Sequence, residues 1–328
     1  MNQTKVVVII MLGFQNPEIF NSVLFVLFLA IYILTLVGNL LIIVLVAKFQ
    51  RLKSPMYFFL TQLSACDIFL STIIVPNMLH GIMAGGSLIF VSGCITQLYF
   101  YSVSEGAECF LLTVMSYDRY LAICHPLRYT SIMDFRLYFQ LIVFSWLLAC
   151  ILTFIMLPPL SSLQFCGHVI DHYFCDLAPL VELSCTKHTL AEFLNFILGV
   201  PSLTVPFSLV IFTYISIFIT ILGISSSTGR QKAFSTCSSH LTVVCVYYGT
   251  LITIYLAPTK GDLLLKSILT AHKGVIRNSP SNSPYREGCF STVRSQTEII
   301  QGMARHGSLD RCMSRDISHT TLTRLMRG

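Results

Sequence analysis

Charge is what this chain lacks. Asp, Glu, Lys and Arg make up only 11% of its 328 residues, against roughly 25% in soluble domains. Hydrophobic residues make up 54%, and the mean hydropathy is +0.74. That shortage excludes a water-soluble globular protein and leaves lipid as the main solvent. The apolar runs also lack alternation, which excludes the two-residue rhythm of membrane barrel strands and leaves helices. No cleavable leader is evident, because the first strongly apolar run is full length and stays in the protein. There is no inverted repeat of the kind that builds secondary transporters. No nucleophile or metal-ligand set accompanies the one candidate acid pair, so the chain is not expected to be an enzyme.

Six runs are long enough to cross about 30 Å of hydrocarbon. They cover residues 24–47, 56–83, 93–124, 137–160, 193–224 and 234–258. The first, fourth, fifth and sixth contain no Asp, Glu, Lys or Arg at all. Loop charge then orients the bundle. Lys48, Arg51 and Lys53 follow the first run, Arg119, Arg128 and Arg136 flank the third loop, and Arg230 and Lys232 lie in the fifth. The opposite loops offer Lys187 among Asp171, Asp176, Glu182 and Glu192. The excess of basic residues puts the odd loops in the cytoplasm and the N-terminus outside. A glycosylation sequon at Asn2 lies on that outer side.

The twelve cysteines divide into two populations. Cys94, Cys166, Cys175 and Cys185 fall in outer segments, where oxidation is allowed. They suggest a stapled lid, although four cysteines permit three pairings. Cys66, Cys109, Cys150 and Cys245 lie in apolar runs and read as packing residues. His168, His172 and Cys175 are too few and too loosely spaced to outweigh a disulfide role.

Polar residues inside the runs mark where function is to be sought, because a charge at the bilayer centre costs about 2.5–3.5 kcal/mol even on the lenient insertion scale. Asp67 lies twelve residues beyond Pro55, and Glu108 ten before Asp118, which sets both near mid-depth at about 1.5 Å per residue. Two such carboxylates can hold one sodium ion or share a proton, with Asn39 as a further interior hydrogen-bonding group. Tyr101, Glu105, Glu108 and Leu112 recur at helical spacing. With Ser102 and Cys109 they form one wall of a candidate ligand pocket. The fifth run adds small partners at Gly199 and Ser202, and the sixth adds Tyr248, Leu251 and Tyr255 on one face beside Tyr247. Apolar walls with a few polar groups suit a small, mostly hydrophobic ligand. An ion pathway through a six-span transporter or channel is the competing use for the buried acids.

The residues 115–124 read MSYDRYLAIC and close the third run with an adjacent acid and base, Asp118-Arg119. This stretch extends into ECFLLTVMSYDRYLAICHPLRY at 108–129. With it come Gly38-Asn39, LKSPMYFFL at 52–60, LSACD at 63–67 and Cys94. Ser145-Trp146, the three-cysteine loop, Thr213-Tyr214, KAFSTCSSHLTVV at 232–244 and YYGTLITIYLAP at 247–258 complete the set. In that order the sequence resembles an odorant receptor of the rhodopsin-like G-protein-coupled superfamily. Ser116 stands where the family usually has Ala, and Lys53 where it usually has His.

The resemblance implies an all-α rhodopsin-like bundle in the plasma membrane, with no cofactor and no nucleic-acid partner. It implies a small hydrophobic odorant bound between the third, fifth and sixth helices and an olfactory stimulatory G protein at the inner end, raising cyclic AMP. Arg119 would be the central G-protein contact, restrained at rest by Asp118 and flanked by Tyr120. Tyr214 would be its switching partner, Tyr248 the floor of the pocket, and Lys232 to His240 the inner end of the moving sixth helix. It also implies the pairings Cys94–Cys175 and Cys166–Cys185.

A seventh apolar run is the last absence. Residues 259–328 contain no uncharged run approaching eighteen and no Asn-Pro-x-x-Tyr-like segment. They hold eleven Lys and Arg against five Asp and Glu, which is the whole net charge of +6. Residues 1–258 balance at ten against ten. The organisation expected is therefore an outer N-terminal segment at 1–23, a receptor-like bundle at 24–258 and a basic tail at 259–328. Its Ser, Arg and Gly punctuation predicts disorder; binding to anionic lipid is the less attractive alternative, since after six spans the segment starts on the outer side. A bundle without its closing seventh helix is expected to fold poorly, to be held in the endoplasmic reticulum and to signal weakly; a signalling-incompetent, truncated or frame-shifted product is the alternative reading.

Overall fold

The computed structural model describes residues 7–12, 18–49, 54–170, 172, 174–185 and 189–256. Asn2 and the tail at 259–328 lie outside the described residues. The chain forms two units, Met1–Ile224 and Ser225–Gly328.

The first unit carries five long helices: α1 (Glu18–Lys48), α2 (Pro55–Ala84), α3 (Val91–Cys124), α5 (Phe135–Ser161) and α8 (Val200–Leu222). Short helices α4 (Pro126–Ile132), α6 (Leu177–Glu182) and α7 (Thr189–Leu194) link them, and a π-helical turn at Asn195–Gly199 leads into α8. In the second unit α9 spans Ser227–Leu256. These six long helices coincide with the six apolar runs. The starts shift by up to seven residues: α9 begins at Ser227 and α8, after the π-helical turn, at Val200, while α1 begins at Glu18.

Among the described residues, four segments are long and apolar enough to cross a membrane on those grounds alone: Asn21–Lys48, Pro55–Ala84, Phe135–Ser161 and Asn195–Leu222. The α3 helix is as long but carries Glu105, Glu108, Asp118 and Arg119. It tolerates them because it packs against α2, α5 and α8, and Ser104, Glu108, Ser116 and Asp118 are all buried there. Lipid-facing helices show the reverse pattern. Val26, Leu34 and Val37 of α1, Phe144, Leu147 and Phe154 of α5, and Phe212 and Ile219 of α8 are exposed, as an apolar solvent permits.

Local chemistry sets the helix ends. Pro55 occupies the first turn of α2, where its missing N–H costs nothing. The Asp134 side chain caps α5 by accepting the Leu137 N–H at 2.8 Å. Gly85 closes α2 in the left-handed conformation at φ 67°. Gly86 follows at φ 143°, where a Cβ would lie 3.0 Å from the Met11 carbonyl oxygen. Glycine therefore lets this turn meet the N-terminal chain.

That meeting builds a three-stranded sheet in the order β2-β1-β3. Strand β1 (Val8–Met11) pairs antiparallel with β2 (Ser87–Phe90) and parallel with β3 (Val169–Ile170). The sheet packs on a core of Ile9, Met11, Leu98, Phe165, Ile170 and Leu180 beside the Cys94 and Cys175 sulfurs. The N-terminal segment is thus built into one end of the bundle. Its signal in the sequence is the β-branched run Val6-Val7-Val8-Ile9-Ile10.

Candidate functional site

At the sheet-covered end, Cys94 and Cys175 are bonded with Cα atoms 5.4 Å apart, and Cys166 and Cys185 with Cα atoms 5.6 Å apart. These are the two pairings expected, and they take Cys175 out of any cluster with His168 and His172. A second tie is Gln97, 7% exposed. Its Nε2 donates to the Ile73 carbonyl of α2 at 2.9 Å, and its Oε1 accepts the Cys175 N–H at 3.2 Å. One side chain thereby fixes the lid to both α2 and α3. Nothing in the local sequence marks Gln97, since both its partners are distant in the chain.

One turn deeper, the Tyr101 and Phe174 rings lie 5.4 Å apart. Tyr101 hydrogen-bonds the Glu105 carboxyl, which also feels the Asp176 charge from the lid. Ser102 is half-buried beside them. A further turn down, the Cys109 thiol donates to the Ser202 carbonyl at 3.7 Å. That carbonyl is the one Pro206 leaves without its helical donor, so the thiol fills a gap in the α8 ladder. The Ser202 hydroxyl turns back to the Gly199 carbonyl at 2.8 Å, at the end of the π-turn, a feature often found at functional positions. Tyr101, Glu105, Cys109 and Ser202 thus follow one another down the α3 and α8 walls.

At mid-depth, Asp67 and Glu108 are 9% and 8% exposed and close enough for their charges to act on each other. Asn39 is fully buried; its Nδ2 donates to the Thr35 carbonyl at 3.0 Å. Its Oδ1, the Ser64 Oγ and the Glu108 Oε1 are buried without a hydrogen-bond partner among the described residues.

At the far end of α3, the fully buried Asp118 accepts on both oxygens. Arg119 Nη2 reaches Oδ2 at 3.0 Å, and the Tyr129 hydroxyl donates to Oδ1 at 2.9 Å. Burial first, then the Asp118 carboxylate, holds the Tyr129 phenol above the ordinary tyrosine range, so it remains a donor at physiological pH. Tyr120 meets the His125 Nε2 at 3.2 Å, and Cys124 meets the Thr220 hydroxyl of α8 at 3.1 Å. Tyr129 is reached because α4 folds back after Pro126. Tyr214 is half-buried on α8.

In the second unit, His240, Val244, Tyr248 and Leu251 are buried along one face of α9, with the Tyr247 and Tyr248 rings 5.2 Å apart. The side chains of Lys232 and Tyr255 fall outside those described.

Long apolar helices, a disulfide-held lid and an Asp-Arg pair closing the third long helix are the marks of a rhodopsin-like receptor. The model of the seven-transmembrane receptors of the rhodopsin family matches residues 38–275; the match ends inside the segment read above as a tail. Squid rhodopsin shares the fold, with a TM-score of 0.57 at 16% identity over 88% of this chain and 78% of that one. Olfactory receptor 11L1 of Homo sapiens is 44% identical over 299 residues, which is 88% of this chain and 93% of that protein. Olfactory receptor 1f45 of Rattus norvegicus is 42% identical over 271 residues, or 82% and 87%. The chain belongs to the olfactory receptor family of G-protein-coupled receptors. It is a multi-pass membrane protein and a signalling receptor, not an enzyme.

Proposed function

We propose that this receptor recognises a small, largely hydrophobic odorant along the wall formed by Tyr101, Ser102, Glu105 and Cys109 of α3 with Gly199 and Ser202 of α8. The observation that carries the reading is the Tyr101–Glu105 polar pair set directly beneath the Phe174 ring of the lid. An enclosed polar group among apolar walls fixes a ligand's orientation, while the apolar area supplies its affinity. A ligand with a hydrogen-bond donor would suit Glu105 best. Binding acts on the receptor only through different affinity for its two states, and the Asp118–Arg119–Tyr129 group is the restraint on the resting one. In this reading the N-terminus is outside, the Asp118 end faces the cytoplasm, and the coupling partner is a stimulatory olfactory G protein that raises cyclic AMP.

The mid-depth acids suit a sodium ion: hard oxygen donors in a buried site, two of them carboxylates, with the Asn39 and Glu108 oxygens unpartnered among the described residues. Asp67, Glu108 and Asn39 would hold the ion, which would supply the positive charge that lets both carboxylates stay ionised.

The tail sets signalling competence. A helix that normally closes the bundle has no counterpart in the composition of 259–328, so retention in the endoplasmic reticulum and a weak response are the expected state of this chain. Replacing residues 266–328 with a family-like seventh helix is expected to restore surface expression and a cyclic-AMP response to an odorant panel. In that background Glu105→Gln and Tyr101→Phe should each raise the half-maximal concentration about tenfold, the worth of roughly 1.4 kcal/mol. No gain from the replacement would refute the tail reading; unchanged responses in both point variants would refute the ligand wall.

A further inference from the structure

We propose that the N-terminal strand β1 is the removable closure over the odorant wall: a strap that seals the lid end by pairing with β2 and β3 and opens it by withdrawing. Calling the space beneath a ligand site rests on the function proposed above; the closure itself does not.

The lid has three parts, and two cannot move far. The segment bearing β3 is bonded to α3 through Cys94–Cys175 and closed on itself through Cys166–Cys185. Gln97 also holds the backbone at Cys175. The segment bearing β2 is a short connection between α2 and α3, which begins at the residue after Phe90. Only β1 is held without a covalent tie to its neighbours. Its side chains are all apolar, so its attachments are main-chain hydrogen bonds and packing. Ile10 N–H donates to the His168 carbonyl at 2.7 Å, Leu12 N–H to Ile170 at 2.9 Å, and Val91 N–H to Val7 at 3.0 Å.

Those attachments are nonetheless well placed to seal. Strand β1 is the middle strand of the sheet, so its loss unpairs both neighbours at once. Ile9 and Met11 are 0% and 1% exposed and pack in one core with Leu98, Cys94 and Cys175. Leu98 lies one helical turn above Tyr101, whose ring meets Phe174 of the lid. The two buried side chains of β1 therefore sit on the layer that directly roofs the Tyr101–Glu105 pair. Withdrawing them opens that layer to solvent while every disulfide stays intact.

The test reads accessibility, not signalling, so it stands even if the odorant reading fails. In the full-length chain, Leu98→Cys is labelled by a polymer-linked maleimide after mild permeabilisation of the cells, with the parent chain as the baseline for native thiols. Labelling of Leu98→Cys alone should be slow. Adding Ile9→Asn and Met11→Asn should speed it at least tenfold while the Cys94–Cys175 bridge persists on a non-reducing gel. A second variant closes the strap instead. Ile10 and Leu88 face each other at a site without ladder hydrogen bonds between them, where Cα atoms approach closely. Ile10→Cys with Leu88→Cys should bridge spontaneously and slow Leu98→Cys labelling below that of the unbridged chain. If the Asn pair loses the native bridge, the cross-linked variant alone decides. Equal labelling in the strapped, unbridged and Asn-substituted chains overturns the proposal, as does fast labelling of Leu98→Cys in the otherwise unaltered receptor.

Discussion

Gln97→Met separates a clip from a mere filler of the lid. The substitution keeps the volume nearly constant, so packing alone accounts for less than about 1.5 kcal/mol. It removes both hydrogen bonds of the amide. The Ile73 carbonyl loses little, because it lies inside α2 and keeps the helix's own donor. The Cys175 N–H is different: it belongs to a residue with 0% exposure, and a buried donor left unsatisfied costs about 1–3 kcal/mol. The loss should therefore centre on about 2 kcal/mol, or about 4–8 °C in melting temperature for a domain of this size. Thermal unfolding of the detergent-solubilised full chain, followed by tryptophan fluorescence of Trp146, measures it without any ligand. A shift below about 1 °C would show that water or a neighbouring group replaces the amide, and the clip would be an ordinary core residue.

Three further outcomes follow from the geometry. Tyr129→Phe removes one of two donors from the buried Asp118 carboxylate; at about 1.5 kcal/mol for a hydrogen bond to a charged acceptor, basal nucleotide exchange on the G protein in the tail-replaced receptor should rise up to tenfold, and unchanged exchange would remove Tyr129 from the restraint. Gly86→Ala should destabilise by about 1–3 kcal/mol, because the residue sits at φ 143° against the Met11 carbonyl; an unchanged or raised melting temperature would contradict the turn as described. Sodium chloride in place of choline chloride should stabilise the receptor by about 1.4 kcal/mol at tenfold the dissociation constant, read as a higher melting temperature, and Asp67→Asn should abolish the difference; a response that survives in the variant would place the ion elsewhere.

What could be read in advance divides by distance along the chain. The helices were legible because lipid asks one thing of every spanning residue, and length and apolarity answer it locally. Asp118 and Arg119 were legible because they are adjacent and stand where ionised groups are tolerated only near a membrane boundary. That Tyr101, Glu105, Glu108 and Leu112 share one helix at helical spacing was legible from the sequence alone. The sheet was not legible, since β1, β2 and β3 come from segments about eighty residues apart and each is only two to four residues long. Short strands take their definition from partners. Gln97 and Tyr129 failed for the same reason: each matters through a group that only the fold brings near.

The two ends of α3 constrain where this receptor can yield. One end is bonded to the lid at Cys94 and clipped at Gln97; the other holds Asp118, locked by Arg119 and Tyr129. Between them the helix packs on α2, α5 and α8, so α3 is a post rather than a lever. Its seam with α8 is bridged by Cys109 to Ser202 and by Cys124 to Thr220, both sulfur contacts and therefore weak. The upper bridge also sits where Pro206 has already interrupted the ladder of α8. That contact joins one thiol donor to one carbonyl without its own helix partner. If the proposed wall binds the odorant, this contact is the polar tie that a ligand at Cys109 would displace, while the packing of α8 along α3 remains.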